Sequence, residues 1–443
     1  MRTKKAYMDA SVLQILYYLN KIRNNLKLES SEVDKYQFNR VKAMIKHAYV
    51  KVPYYRSLFD KKGLSPESIK NKEDFYKIPI STKETMRDLN LYQRMVNGIN
   101  IRKCKNLRTS GSTGIPLDIY VSQYELLRCK TLPFWNMLFD NGCELTEKTL
   151  RVTHPFLVEK PYWFQRLNIL RDYFATIDND VDEQLNKFIQ IKPHVIRGYT
   201  SAIKSLALKI KERGIKVVPP KVIFTTAEVL VSGDRELISS IFQSKVIDYY
   251  CCSEFGIMAW ECKRHSGYHI NVDNVMMEFI KNGTPALPGE ESEIVITGLN
   301  NYAMPFIRYK IGDRGIFQES RCPCGNNSPL IQTIIGRSND QVILSNGKTI
   351  SPFLLTNLIT CIPGIIEFQL AQKELGIVHI RIVKDKNCEG HFLANQVEKQ
   401  CKAILGNAIK IEVFLVDNIP KEKSGKFKII KNEVDSFAPH ISQ

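Results

Sequence analysis

The sequence predicts an α/β protein: a large first domain that ends in a more purely β section, then a small α+β domain. Three observations carry this. Between residues 122 and 245, strand-like runs alternate with helix-like ones, the pattern of a parallel sheet with helices packed on its faces. Residues 268–318 read as successive strands, with Met276, Ile280, Glu293, Thr297, Phe306 and Tyr309 at strand ends. At Gly336-Arg337-Ser338-Asn339-Asp340 the character changes, and a boundary there gives domains 1–337, with a helical start over about 1–80, and 338–443.

The elements follow in order. Residues 8–50 read as helices, since Leu13, Leu16, Tyr17 and residues 19–22 recur at helical spacing, as do Phe38, Val41, Met44, Ile45 and Ala48. Val52-Pro53 breaks that pattern, because the residue before proline disfavours the helical region. Residues 78–81 read as an extended segment leading into a capped helix at Thr82. Leu117-Asp118-Ile119-Tyr120-Val121 alternates and reads as the second strand of a hairpin. Residues 123–139 read as a long amphipathic helix, and residues 201–213 and 235–242 as helices that alternate with strands at 195–199, 222–226 and 246–250. In the small domain, 342–344, 376–383 and 411–416 are strand-like, and 352–360 and 392–404 helix-like.

The composition bounds the function. The chain has 443 residues, 44% hydrophobic and 25% charged, which suits a globular protein and excludes a disordered one. Lys and Arg number 63 against 46 Asp and Glu, a formal charge of +17 that favours anionic partners. The excess is thinly spread, so it gives only weak support beside an ordinary solvated surface. The 11 cysteines lack the spacing of a secreted scaffold. Residues 7–19 are interrupted by Asp9, Ser11 and Gln14, and no apolar run approaches the ~20 residues of a membrane span. A cytoplasmic protein with reduced thiols is expected.

One stretch organises the chemistry. Thr109, Ser110, Gly111, Ser112, Thr113 and Gly114 are all hydroxylated or glycine. Such a run adds little to a core but can lay N–H groups and hydroxyls around phosphate oxygens. By itself it reads equally as a loose Ser/Gly loop. It lacks the GK[ST] ending of a Walker loop and the GxGxxG of a dinucleotide fold. Four stretches follow it in order: Tyr250-Cys251-Cys252-Ser253-Glu254, Tyr309-Lys310-Ile311-Gly312-Asp313, Gly336-Arg337-Ser338-Asn339-Asp340, and Pro420-Lys421-Glu422-Lys423-Ser424-Gly425-Lys426. Any one is weak, but their joint order over residues 45–430 resembles the adenylate-forming enzymes. The spacing is most similar to the phenylacetate-CoA ligase branch, which includes ligase-like proteins of capsular polysaccharide clusters.

The resemblance implies an adenylate-forming fold with a mobile small domain. It also implies activation of a carboxylic acid by ATP and transfer of the acyl group to a thiol, with coenzyme A the expected acceptor. A carrier-protein thiol or a sugar amine would need the same first step, and a role in polysaccharide modification is one family-level expectation. By resemblance, residues 109–114 cradle phosphates and Glu254 holds Mg²⁺, a hard cation suited to carboxylate and phosphate oxygens. Thr226, Ala227 and Glu228 lie against the adenine, the stretch Tyr250, Cys251, Cys252 and Ser253 flanks the nucleotide, and Asp313 takes the ribose hydroxyls with Arg337 nearby. Taken alone, Glu254 is a surface acid after a strand and Asp313 a turn former. Lys426 bridges carboxylate and α-phosphate, a role that suits a point charge on a flexible stem. Two departures stand out: Cys251 replaces the usual glycine, and Asn339 the usual hinge acid, with Asp340 next to it. The acid pocket is expected to draw on residues 154–156, 197–201 and 226–256, including His154, Pro155, Phe156 and Tyr199. A homodimer is the open expectation for assembly.

Cys262, His269, Cys322 and Cys324 form a second signal, because Cys-Pro-Cys-Gly is a tight turn presenting two thiolates and zinc favours a tetrahedral Cys₃His set. His265 is the alternative histidine, and four unmetallated residues on neighbouring loops is the plainer reading. Cys104, Cys129, Cys143, Cys361, Cys388 and Cys401 read as small buried apolar residues. A basic, zinc-stabilised nucleic-acid-binding protein is the distant alternative. It leaves the order of Glu254, Asp313, Arg337 and Lys426 unexplained, and the sequence carries no nucleic-acid motif.

Overall fold

The computed structural model describes residues 12–434, apart from 110–116, 154, 159–163, 178–179, 338–341, 345–348, 351–354, 356–357, 360–361, 387, 407–408 and 421–426. The chain opens with α1 (Val12–Asn25), α2 (Ser30–Lys51) and α3 (Pro53–Lys61). Val52 takes an extended backbone and ends α2, and Pro53 then starts α3 at a first-turn position where its missing N–H costs nothing. Three short helices follow, α4 (Lys72–Tyr76), α5 (Lys83–Asp88) and α6 (Leu91–Arg94). Thr82 caps α5 by accepting from the Thr85 N–H at 3.2 Å.

A hairpin of β1 (Cys104–Arg108) and β2 (Asp118–Ser122) comes next, antiparallel from Cys104↔Ser122 to Arg108↔Asp118. The expected long amphipathic helix differs in two ways. It is α7 (Gln123–Leu126), a π-helical stretch (Leu127–Thr131) and α8 (Leu132–Asp140), and every residue from Leu132 to Leu138 is buried. Its apolar run is too continuous to leave a solvent face, so it lies between the sheet and α1. The π stretch lets the helix pass the turn at Gly256. There φ is +70°, and a Cβ would lie 2.5 Å from the Cys129 carbonyl oxygen.

Twelve strands form the main sheet. Its parallel half runs β4 (Asp172–Thr176), β3 (Thr149–Thr153), β5 (Val195–Tyr199), β6 (Val222–Thr226), β7 (Lys245–Cys252). Helices α9 (Val181–Ile191), α10 (Thr200–Glu212) and α11 (Ser232–Phe242) cover one face and the buried α7–α8 helix the other, as alternating strands and helices require. From β7 the sheet turns antiparallel through β8 (Gly256–Glu261), β9 (Tyr268–Ile270), β14 (Leu330–Arg337), β13 (Tyr309–Gln318), β12 (Glu291–Gly298), β10 (Val275–Lys281) and β11 (Thr284–Pro285). Residues 306–308, expected as strand, precede β13 rather than belong to it. The helical start packs on this half, where Ser81 bridges to Tyr309.

After β14 the chain leaves the large sheet. A two-stranded pair, β15 (Val342–Ile343) with β16 (Thr349–Ile350), precedes a four-stranded sheet of β17 (Ile365–Glu374), β18 (Ile377–Lys384), β19 (Lys410–Leu415) and β20 (Ile430–Asn432). Helix α12 (Gly390–Leu405) packs on it, and Leu393, Val397, Cys401 and Leu405 close a separate core with Leu370, Ile380 and Ile382. Cys129, Cys143 and Cys401 are buried as expected, whereas Cys104 and Cys388 are only partly so, near strand and turn ends. Cys361 lies outside the described residues. Among the described residues no helix is long and apolar enough to cross a membrane.

Candidate active site and cysteine–histidine cluster

The sheet changes from parallel to antiparallel at β7–β8, and the carboxyl ends of its parallel strands open there, where α/β sheets bind ligands. Thr226 ends β6. Its hydroxyl donates to the Tyr249 carbonyl at 2.9 Å and lies 3.2 Å from the Cys251 sulfur. Ala227 follows with φ of 70°, a left-handed conformation uncommon for a residue with a Cβ. That kink aims Glu228 at two elements. Its carboxylate accepts from the Ser201 N–H at 2.6 Å and hydroxyl at 3.0 Å, capping the start of α10. It also accepts from the Phe427 N–H at 2.6 Å, in the small domain.

Across the opening, the Tyr250 hydroxyl donates to Asp313 Oδ2 at 2.5 Å. Asp313 is not in a turn, as expected from the sequence, but inside β13. Gly312 before it supplies the left-handed residue (φ +87°) that breaks the regular pleat. Asp313 also faces Arg337 in the β13–β14 register; only the Arg337 backbone is described. Glu254 sits in the turn between β7 and β8, with the Tyr309 hydroxyl donating to its Oε1 at 3.5 Å. Burial and the Glu254 charge push the Tyr309 hydroxyl well above the usual phenol range, so it stays a donor. Ser253 and Glu254 line a small crevice with Leu107 and Val121 of the hairpin, at whose loop end Thr109 is held by hydrogen bonds to Leu117. The fold therefore brings Thr109, Thr226, Glu228, Tyr250, Cys251, Ser253, Glu254 and Asp313 to one end of the sheet. The Cys252 sulfur accepts from the Phe255 N–H at 3.3 Å and lies 3.6 Å from that of Met258. Ser110, Gly111, Ser112, Thr113, Gly114, Asn339, Asp340, Lys426 and His154 lie outside the described residues.

A cavity of about 390 Å³ opens between the α7–α8 helix and strands β3, β4 and β5. Arg197, within the span expected to line an acid pocket, is on its wall. Arg151 is also there, and no motif marks it, since it sits mid-strand between apolar residues.

The second cluster is at the far side of β8. Cys262, His269, Cys322 and Cys324 present ligand atoms that all lie within 4.8 Å of one another. Cys262 and Cys322 sulfurs are 3.6 Å apart, and Cys324 Sγ is 3.3 Å from His269 Nε2. Tetrahedral zinc sites with bonds of ~2.3 Å place ligands roughly 3.7 Å apart, so the set fits. Burial lowers the His269 ring to about 4, which keeps the neutral, ligating form. His265 instead lies beside Glu261, at 3.4 Å.

Comparison with known proteins gives a consistent picture. Residues 342–433 match the family model of the CapK C-terminal domain. The phenylacetate-coenzyme A ligase of Thermus thermophilus is 22% identical over 433 residues, covering 88% of this chain and 94% of the relative. Protein CapK of Staphylococcus aureus is 25% identical over 398 residues, 86% and 85% of the two chains. A crystal structure of 2-hydroxyisobutyryl-CoA ligase in the postadenylation state aligns with a TM-score of 0.78 at 18% identity, over 92% of this chain and 90% of the other.

Proposed function

We propose that this chain, which belongs with the adenylate-forming enzymes in the branch of the phenylacetate-CoA ligases and CapK, joins a carboxylic acid to the α-phosphate of ATP. Pyrophosphate leaves, and the acyl-adenylate then passes its acyl group to the thiol of coenzyme A, with AMP as the leaving group. The observation that carries this reading is the convergence of Thr226, Tyr250, Glu254 and Asp313 at the open ends of the parallel strands.

The reaction joins two anions, so the site must hold them in line and offset their charge. Asp313, held by Tyr250, accepts from the ribose hydroxyls, with Arg337 on the adjoining strand. Thr226 and Ala227 border the base. The hairpin loop 109–114 starts beside Glu254 and wraps the β- and γ-phosphates. Glu254 is the carboxylate suited to Mg²⁺, which when bound offsets phosphate charge. Lys426 bridges the attacking carboxylate and the α-phosphate oxygen, and Glu228 places it by holding the next residue's N–H. Withdrawal of the small domain at residues 337–340 then admits the thiol, a gating step. Cys262, His269, Cys322 and Cys324 hold a structural zinc ion that pins β8 and β9 to the turn before β14.

Carboxylate-dependent exchange of labelled pyrophosphate into ATP, over a broad panel of acids, tests the first half-reaction. Thioester formation with added coenzyme A tests the second, and a carrier-protein thiol or sugar amine accepting in its place would revise the acceptor alone.

A further inference from the structure

Lys204 joins the two domains at a point that none of the ordered motifs marks. It lies in α10 of the large domain and is only 9% exposed. Its ammonium pairs with Asp234 at 2.7 Å and donates to the Ile366 carbonyl, at the start of β17 in the small domain, at 2.5 Å. Asp234 belongs to the first turn of α11, where a helix N-terminus favours a carboxylate. The charge pair is therefore built within the large domain, and the small domain supplies the carbonyl.

A break in β17 offers that carbonyl. The β17–β18 register steps from Ile365↔Lys384 to Glu367↔Val383, which leaves Ile366 without an opposite residue, as in a bulge. Pairing with β20 begins only at Leu370. Ile366 thus stands outside the regular ladders of its own sheet, and its carbonyl is taken by the ammonium across the domain interface.

Withdrawal of the small domain acts differently on the two acceptors. Ile366 leaves with its domain, whereas Asp234 stays. A buried ammonium stripped of every partner would resist separation strongly, because its lost hydration would go uncompensated. With Asp234 in place and water entering the opened interface, one charge-assisted hydrogen bond is exchanged for one to water. Such a contact can favour one domain orientation and still break in each turnover. The orientation it favours is the one that sets the Phe427 N–H on Glu228, which keeps the residue before Phe427 near the end of β6.

Resting on the adenylation reading, we propose that Lys204 is a positioning residue. It holds the small domain in the orientation for adenylate formation and releases it for thiol transfer, while Asp234 retains the ammonium between the two states.

The test separates the half-reactions. Pyrophosphate exchange with the best acid of a broad panel reads the first. Thioester formation from coenzyme A and that acid's chemically prepared acyl-adenylate reads the second. Lys204→Met should lower exchange about tenfold and leave thioester formation unchanged or faster. Lys204→Arg, which keeps a cationic donor, should restore part of the exchange. Asp234→Asn breaks the ion pair but keeps the carbonyl contact, so the ratio of the two rates should stay within about twofold of wild type. Unchanged exchange in Lys204→Met, or an equal fall in both half-reactions, would overturn the proposal. So would a ratio shifted as far by Asp234→Asn as by Lys204→Met. If wild type supports no exchange or no thioester formation, the functional reading fails at that step, and hydrogen–deuterium exchange decides the contact alone. Faster amide exchange at residues 200–212 and 365–374 in folded Lys204→Met than in wild type supports the tie between domains; no difference there overturns it.

Discussion

The Glu228 carboxylate accepts the backbone N–H of Phe427 at 2.6 Å, across 199 residues of sequence. The same carboxylate caps α10 through Ser201, so one side chain ties the end of β6, a helix of the large sheet and the residue after Lys426. Lys204 adds a second tie, from its ammonium to the Ile366 carbonyl at 2.5 Å, while also pairing with Asp234 at 2.7 Å. A charged acceptor with several donors is worth more than an exposed ion pair. Glu228→Ala is therefore expected to lower pyrophosphate exchange about tenfold and to speed proteolytic cleavage near residues 421–427, with the circular dichroism spectrum retained. Unchanged exchange and cleavage would show that the contact does not position the small domain.

Tyr250 holds Asp313 by a charge-assisted hydrogen bond. Tyr250→Phe removes the donor while keeping the ring. The KM for ATP is expected to rise about tenfold, with a smaller change in kcat, because the lost contact orients a binding group rather than a reacting one. Steady-state kinetics at varied ATP check this, and a fall in kcat with KM unchanged would argue against a ribose role for Asp313.

Both relationships show what the sequence could and could not carry. Motif order pointed to residues that the fold gathers at one end of the sheet, because Thr226, Tyr250, Glu254 and Asp313 sit where strands end or break, positions marked by polar residues after apolar runs. Partners were not legible. Nothing near Glu228 in sequence points to Phe427, and Asp313 read as a turn because Gly312-Asp313 looks the same in a turn as in an interrupted strand. Arg151 was hidden for a related reason: it lies mid-strand between Leu150 and Val152, and the wall it shares with Arg197 exists only once β3 and β5 pair. The helix over 123–139 read as amphipathic because the continuous burial of residues 132–138 comes from α1 and the sheet, elements distant in sequence.

The cysteine–histidine cluster predicts about one zinc ion per chain after chelator-free purification, read by elemental analysis. Cys322→Ser, or chelation, should remove the metal and lower the melting temperature by about 5 °C or more, since metal binding to a formed site is folding energy. Protein purified without zinc, and a melting temperature unmoved by Cys322→Ser, would leave the cluster as four packed side chains.

Asp248 gives a pH-dependent prediction. Burial, with the Glu261 charge adding to it, pushes this carboxyl up to about 7 from its ordinary 3.8, against hydrogen bonds from Thr225 at 2.6 Å and Tyr268 at 2.8 Å. A raised folded value means that the stability tied to the neutral form is fully present below 3.8 and is lost as pH rises through about 7. The melting temperature should carry a component that falls between about pH 4 and pH 7, and Asp248→Asn, which cannot ionise, should remove it. Parallel pH profiles for the two proteins would refute the assignment.

The most direct test of adenylate formation is carboxylate-dependent pyrophosphate exchange, with wild type and Lys426→Ala assayed side by side over a broad acid panel. Exchange by the wild type, reduced about a hundredfold or more in a folded Lys426→Ala protein, is the expected result. No exchange with any acid, or exchange undiminished in the variant, would contradict it.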